Sequence, residues 1–350
     1  MTSPALNMVA MLVGLGAVAC YFAVMALPER MRPAAMALPI SVAGCVMAAL
    51  GYGEPAIAMI SGTAIWSVLL CGGLVLITGR RGDGPMTDVW SVMLLPTGLV
   101  LMFLGMRGSL DGLAVVLLLT LGFAAYVSND GTTNQDGHDH LNLVDQVRDR
   151  RVGLGQMAIS AACAALLAAV SGVLWTITLG KMSAASAWFN PDLTAMVLLP
   201  AAVGFAMVGV SVQLGAHSYQ AGWRAVSQTG IVLLTVSLPL VILSGAVLGG
   251  EVRFHIFNVI SQANILGDLN LGGDVIASTQ PSARTTPAVT SVWPKYPIVS
   301  WRMDSAVLVV FGLVLLGQRV GLARASRLGG AVMVVCYVVY LFACLAYGRG

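Results

Sequence analysis

The chain is a succession of apolar blocks, most of them as long as a helix needs to be to cross a bilayer, and that pattern leaves little choice of fold. A spanning helix takes about 20 apolar residues, with a range of roughly 17–25. Reading along the chain, such blocks fall near 8–26, 34–51, 57–78, 88–106, 110–127, 155–179, 193–214, 225–249, 304–318 and 328–347. Hydrocarbon offers no water to satisfy backbone polar groups, so each block has to bond internally as a helix. The sequence therefore predicts an all-α membrane protein with ten transmembrane helices, and the lipid bilayer as the partner for most of its apolar surface. Composition agrees, with 58% hydrophobic and 9% charged residues against about 25% charged in a soluble domain. The net charge is +3 and the basic residues are scattered between apolar blocks, which argues against a nucleic-acid partner.

Two polar stretches divide the chain. Residues 1–127 form a first five-helix unit and 128–152 a linker. Residues 153–350 form a second five-helix unit that includes a long loop over 250–303, rich in Gly, Asn, Ser, Thr and Pro. Arg30, Arg32, Arg80, Arg81, Arg148, Arg150, Arg151, Arg224, Arg319, Arg324 and Arg327 fall on loops of one side. The positive-inside rule makes that side cytoplasmic. The linker is then cytoplasmic, the 250–303 loop external and both termini outside, as expected for an integral protein of a bacterial inner membrane. The first block lacks a basic n-region and a small-residue cleavage site, and reads as a retained helix. The segment from Arg253 to Leu266 is semi-apolar and is expected to lie along the membrane surface.

The chemistry-bearing residues are sparse. All six cysteines lie within apolar blocks without a CxxC or Cys/His partner, the pattern of small core hydrophobes. His138 and His140, beside Asp136 and Asp139 in the linker, are too few and too solvated for a structural metal site of about four fixed ligands. Asp268 and Asp274 in the long loop lack EF-hand spacing. No GxSxG, HExxH or P-loop occurs, so neither an enzyme, a cofactor nor a bound metal is expected. Glu54 stands at the external end of the second helix, either as a loop carboxylate or in an ion vestibule. Asp88 and Asp304 are placed at helix N-termini, where the dipole favours negative charge.

An internal repeat sharpens the picture. Met36-Ala37-Leu38-Pro39-Ile40-Ser41 in the first half matches Val197-Leu198-Leu199-Pro200-Ala201 in the second, each expected to open the second helix of its half. Ser61-Gly62-Thr63 matches Ser227-Gln228-Thr229, each expected to open the third. Asp88 and Asp304 lead the fourth helices, and Tyr126 and Tyr340 stand near the ends of the fifth. An odd number of helices per half inserts the second copy upside down, the architecture of inverted-repeat transporters with a site near the midplane.

On these residues the chain resembles the sodium/calcium exchanger superfamily (cation/Ca2+ antiporters). The Leu-Pro pairs at Pro39 and Pro200 look like the first motif of that family's two repeats, and the two Ser-x-Thr elements occupy the place of the second. The resemblance implies two inverted five-helix repeats, external termini and alternating-access transport. It places a transport pocket at Pro39, Ile40, Ser41, Ser61, Thr63, Pro200, Ala201, Ser227, Gln228 and Thr229. The sequence departs from the family where the family carries ligand glutamates, since Ile40 and Ala201 stand there. Two readings stay open. One is a secondary transporter, an antiporter of a monovalent cation or small polar solute. The other is a transport-inactive scaffold of the same fold whose 250–303 loop binds a protein partner.

Overall fold

The computed structural model describes residues 32–79, 89–108, 110–130, 154–185, 191–217, 219–248, 293–320 and 326–347. The first predicted span, Asp88, linker residues 131–152 with both their histidines, and loop residues 250–292 lie outside that set. The described elements are helices: α1 Arg32–Ala49, α2 Gly53–Thr78, α3 Val89–Arg107, α4 Gly112–Asp130, α5 Leu154–Ala185, α6 Pro191–His217, α7 Tyr219–Leu248, α8 Ile298–Arg319 and α9 Arg327–Tyr347. Six of them (α1, α2, α3, α5, α7 and α9) contain stretches long and apolar enough to cross a membrane. The protein is an all-helical integral membrane protein.

Position in the bundle follows from which faces are apolar. In α2 every residue from Pro55 to Leu69 is buried, as expected of a helix that is apolar all round and sits at the centre. α4 and α9 instead expose rows of large apolar side chains, Leu113, Val116, Leu119 and Phe123 on one and Val332, Val335, Val339 and Phe342 on the other. Such rows face lipid.

α1 hands over to α2 through a tight cap. Gly51 takes φ +89°, the left-handed conformation a helix C-terminus favours in glycine. The Gly51 N–H donates to the Ala48 carbonyl at 3.0 Å and the Tyr52 N–H to that of Met47 at 2.9 Å, which satisfies two terminal carbonyls. α2 then starts at Gly53, with Glu54 in its first turn.

Contacts fix the directions of the helices. α1 runs parallel to α7, with Met36 near Thr229, Ser41 near Ser237, and Gly44 against Val241. α2 runs parallel to α6, with Gly62 against Met196 and Pro200, and Trp66 against Gly204. α3 and α8 are antiparallel, pairing Leu95 with Gly312 and Met102 with Trp301, whose indole donates to the Met102 carbonyl at 3.1 Å.

The Ser41 and Ser237 hydroxyls lie 2.6 Å apart and tie α1 to α7. Ser41 also reaches the Ala37 carbonyl at 2.8 Å and Ser237 that of Val232 at 3.5 Å, so either hydroxyl can donate in the pair. A double-mutant cycle of Ser41→Ala and Ser237→Ala, read by thermal unfolding in detergent, should return a coupling of about 0.5–1.5 kcal/mol. Strict additivity would contradict the bond.

Several boundaries differ from the sequence expectation. The Ser-x-Thr elements do not open their helices. α2 begins at Gly53 and α7 at Tyr219, which places Ser61 and Ser227 at matching depth inside. Pro55 is tolerated because the first turn needs no N–H donor from it, and the polar start of α7 is carried by its buried Tyr219 and Trp223. Pro39 and Pro200 likewise lie inside α1 and α6. α8 begins at Ile298 rather than 304 because the Pro297 carbonyl accepts its first helical bond, from the Trp301 N–H at 2.8 Å. Asp304 is therefore an interior residue of α8, not an N-terminal cap. The last residues of the predicted external loop, 298–303, are helical, and Pro294 accepts from the Leu110 N–H at 3.3 Å.

Candidate functional site

The prolines come first, because each removes one backbone donor. Pro39 leaves the carbonyl of Ala35 without its usual partner and Pro200 that of Met196. In a membrane helix such a carbonyl has to be re-satisfied or face a cavity. That of Met196 faces α2. A Cβ at Gly62 would lie 2.5 Å from the Met196 oxygen and 3.2 Å from the Pro200 ring. Glycine between Ser61 and Thr63 is what lets a freed carbonyl approach the α2 backbone this closely.

Around that contact, α2 and α7 cross. Gly230 packs on Val68, and Ser67 donates to the Val226 carbonyl at 2.9 Å. These contacts lie within a few residues of each Ser-x-Thr element. Thr63 donates to Met59 O at 2.6 Å and Thr229 to Ala225 O at 2.6 Å. Ser61 donates to Ala58 O at 3.2 Å and Ser227 to Arg224 O at 3.1 Å. A hydroxyl that gives its proton to its own helix presents only lone pairs to anything else. That is the polarity a cation or a donor-bearing solute requires. The Met36 thioether adds a soft contact, 3.7 Å from Thr229 Oγ1.

The remaining predicted residues divide. Ser41 is half-buried and engaged with Ser237, and Pro39 beside it is half-buried. Ile40 is buried, as are Pro200 and Gln228. Ala201 lies within α6, and its side chain is outside the described residues. Ser61, Thr63 and Thr229 are each 0% exposed, so no water-sized space touches them in this conformation. Among the described residues no group of three or more His, Cys, Asp or Glu comes together.

Two features went unread in the sequence. Directly after the Ser-x-Thr elements, α2 widens into π geometry over Trp66–Cys71 and α7 over Leu233–Ser237. Insertions of this kind collect at functional sites. Hydropathy carries no trace of them. The other is Asp304, whose fully buried carboxylate accepts the Tyr340 hydroxyl at 2.7 Å. Its signal was available in Pro297, a helix-start residue seven positions ahead of Asp304.

No family model matches the chain, and no curated protein matches it. Solved structures do. The H+/Ca2+ exchanger CAX superposes with a TM-score of 0.57 at 13% identity, covering 98% of this chain and 92% of the exchanger. Native YfkE superposes with a TM-score of 0.61 at 8% identity, covering 98% of this chain and 93% of its own. At such identities the likeness is one of fold, and the chain is an all-helical membrane protein built on the fold of CAX and YfkE.

Proposed function

We propose that the protein is a secondary transporter, an antiporter that moves a monovalent cation or small polar solute by alternating access through the crossing of α2 and α7. The observation that carries this is the crossing itself. In its support, Gly230 packs on Val68 and Ser67 donates to the Val226 carbonyl, each within a few residues of a Ser-x-Thr element and a π segment, and the carbonyl freed by Pro200 meets α2 at Gly62. Every oxygen named there is neutral. Ca2+ takes six to eight oxygens, usually carboxylates among them, and Ile40 and Ala201 supply none. Neutral oxygens suit an ion of lower charge or a hydrogen-bonding solute. The buried hydroxyls then belong to an occluded state.

The reading includes two inverted five-helix repeats. In its support, α3 and α8, which hold equivalent places in the two halves, run antiparallel, and the parallel pairs α1/α7 and α2/α6 exchange under the same operation. The Ser-x-Thr elements also lie equally deep in their helices. The arginine distribution supports external termini, and the reading places the protein in a bacterial inner membrane.

The second reading, a transport-inactive scaffold, is favoured by the apolar Ile40 at a ligand position. Reconstitution in liposomes separates the two. Flux driven by a Na+, H+ or Ca2+ gradient is expected, reduced tenfold or more by Ser61→Ala combined with Ser227→Ala. Absence of flux under every gradient would refute transport.

A further inference from the structure

The α2–α7 crossing holds no described carboxylate, yet Asp304 is 0% exposed within α8. Tyr340 on α9 donates to its Oδ1 at 2.7 Å. Tyr296, just ahead of α8, is 4% exposed, and its hydroxyl is buried without a hydrogen-bond partner. Burial first, and then the Asp304 charge, push this phenol well above its usual range. It is therefore a neutral O–H at physiological pH, just ahead of the helix that carries Asp304 and not bonded to the carboxylate. Leaving a buried hydroxyl unmatched is costly, and such a group calls for an explanation.

We propose that Asp304, Tyr340 and Tyr296 form a proton-binding site separate from the hydroxyl crossing. Ionised, the carboxylate accepts from both phenols. On protonation an O–H bond forms on Asp304, no electrons are transferred, and Tyr296 is released. Phenols stabilise the negative charge without cancelling it, so the proton can come and go. Among the described residues, the titratable groups on the elements packed around Asp304 are few. Tyr337 and Cys344 are buried on α9, whose Arg327 and Cys336 are exposed, and α2 carries Glu54 in its first turn and the buried Cys71. Lys295 and Arg302 are exposed, and Arg107 at the end of α3 is paired with Asp111 at 2.9 Å. The described side chains of α6 add none. If the antiport reading holds, and only then, this site makes the proton the coupling ion.

Infrared difference spectra of the purified full-length protein across acid to alkaline pH test the site without transport. A titrating carboxylic-acid band is expected in wild type and absent in Asp304→Asn. Tyr296→Phe should raise its midpoint by about one pH unit, a tenfold change in acid constant, because it removes a donor to the charged form. No band lost in Asp304→Asn, or an unmoved midpoint in Tyr296→Phe, would overturn the proton site; the second variant serves if the first does not fold. In proteoliposomes, wild-type flux should follow a pH gradient and Asp304→Asn flux should not. Wild-type flux indifferent to pH would overturn the coupling role alone. Absence of any flux would sink the antiport reading, with the spectra still deciding the site.

Discussion

Gly62→Ala is expected to destabilise the protein by about 3 kcal/mol and to abolish transport. The added methyl would lie 2.5 Å from the Met196 carbonyl oxygen, and backbone held in a helix cannot swing aside as a side chain does. Overpacking of a well-filled interior commonly costs about 1–3 kcal/mol, and here it also strikes a polar atom that Pro200 has left short of a donor. Gly209, by contrast, meets nothing within 4 Å. Gly209→Ala should be neutral or stabilising by up to about 1 kcal/mol through helix propensity. Thermal unfolding in detergent compares the two. Equal effects would show that the α2–α6 contact is looser than described.

The second large effect separates function from stability. Thr63→Val combined with Thr229→Val keeps shape and burial while removing two oxygens from the crossing. Both hydroxyls bond only back to their own helices at 2.6 Å, apart from the long Thr229–Met36 contact. The loss should cost at most about 1 kcal/mol each. Flux should fall tenfold or more. Thr120 makes the same back-bond, to the Val116 carbonyl at 2.7 Å, on an exposed face, so Thr120→Val should leave flux unchanged. Full activity in the double variant would remove the hydroxyls from the mechanism.

The apolar blocks overlap the nine described helices, six of which hold stretches long and apolar enough to cross a membrane, because hydrocarbon makes every span bond internally. The likeness of Ser61–Thr63 to Ser227–Thr229 was visible in residue type, and the two lie equally deep in their helices. Helix starts were less legible. α7 opens with Tyr219, Gln220 and Arg224, residues that hydropathy reads as loop, and only the burial of Tyr219 and Trp223 shows why they are helical. Asp304 was misplaced for a related reason, since the apolar run begins after it whereas the helix begins at Ile298. The π segments were not legible at all. They change which carbonyl each N–H meets and leave the apolar pattern intact.

The central claim is that the buried hydroxyl crossing opens alternately to the two sides of the membrane. Labelling of Ser61→Cys and Ser227→Cys tests it most directly, in a background without the six native cysteines, using a membrane-impermeant thiol reagent in oriented vesicles. Each position should label from either face under turnover, with the accessible face changing as the ion gradient is reversed. Failure to label from both faces, beside an exposed control such as Arg302→Cys that labels fully, would contradict the account.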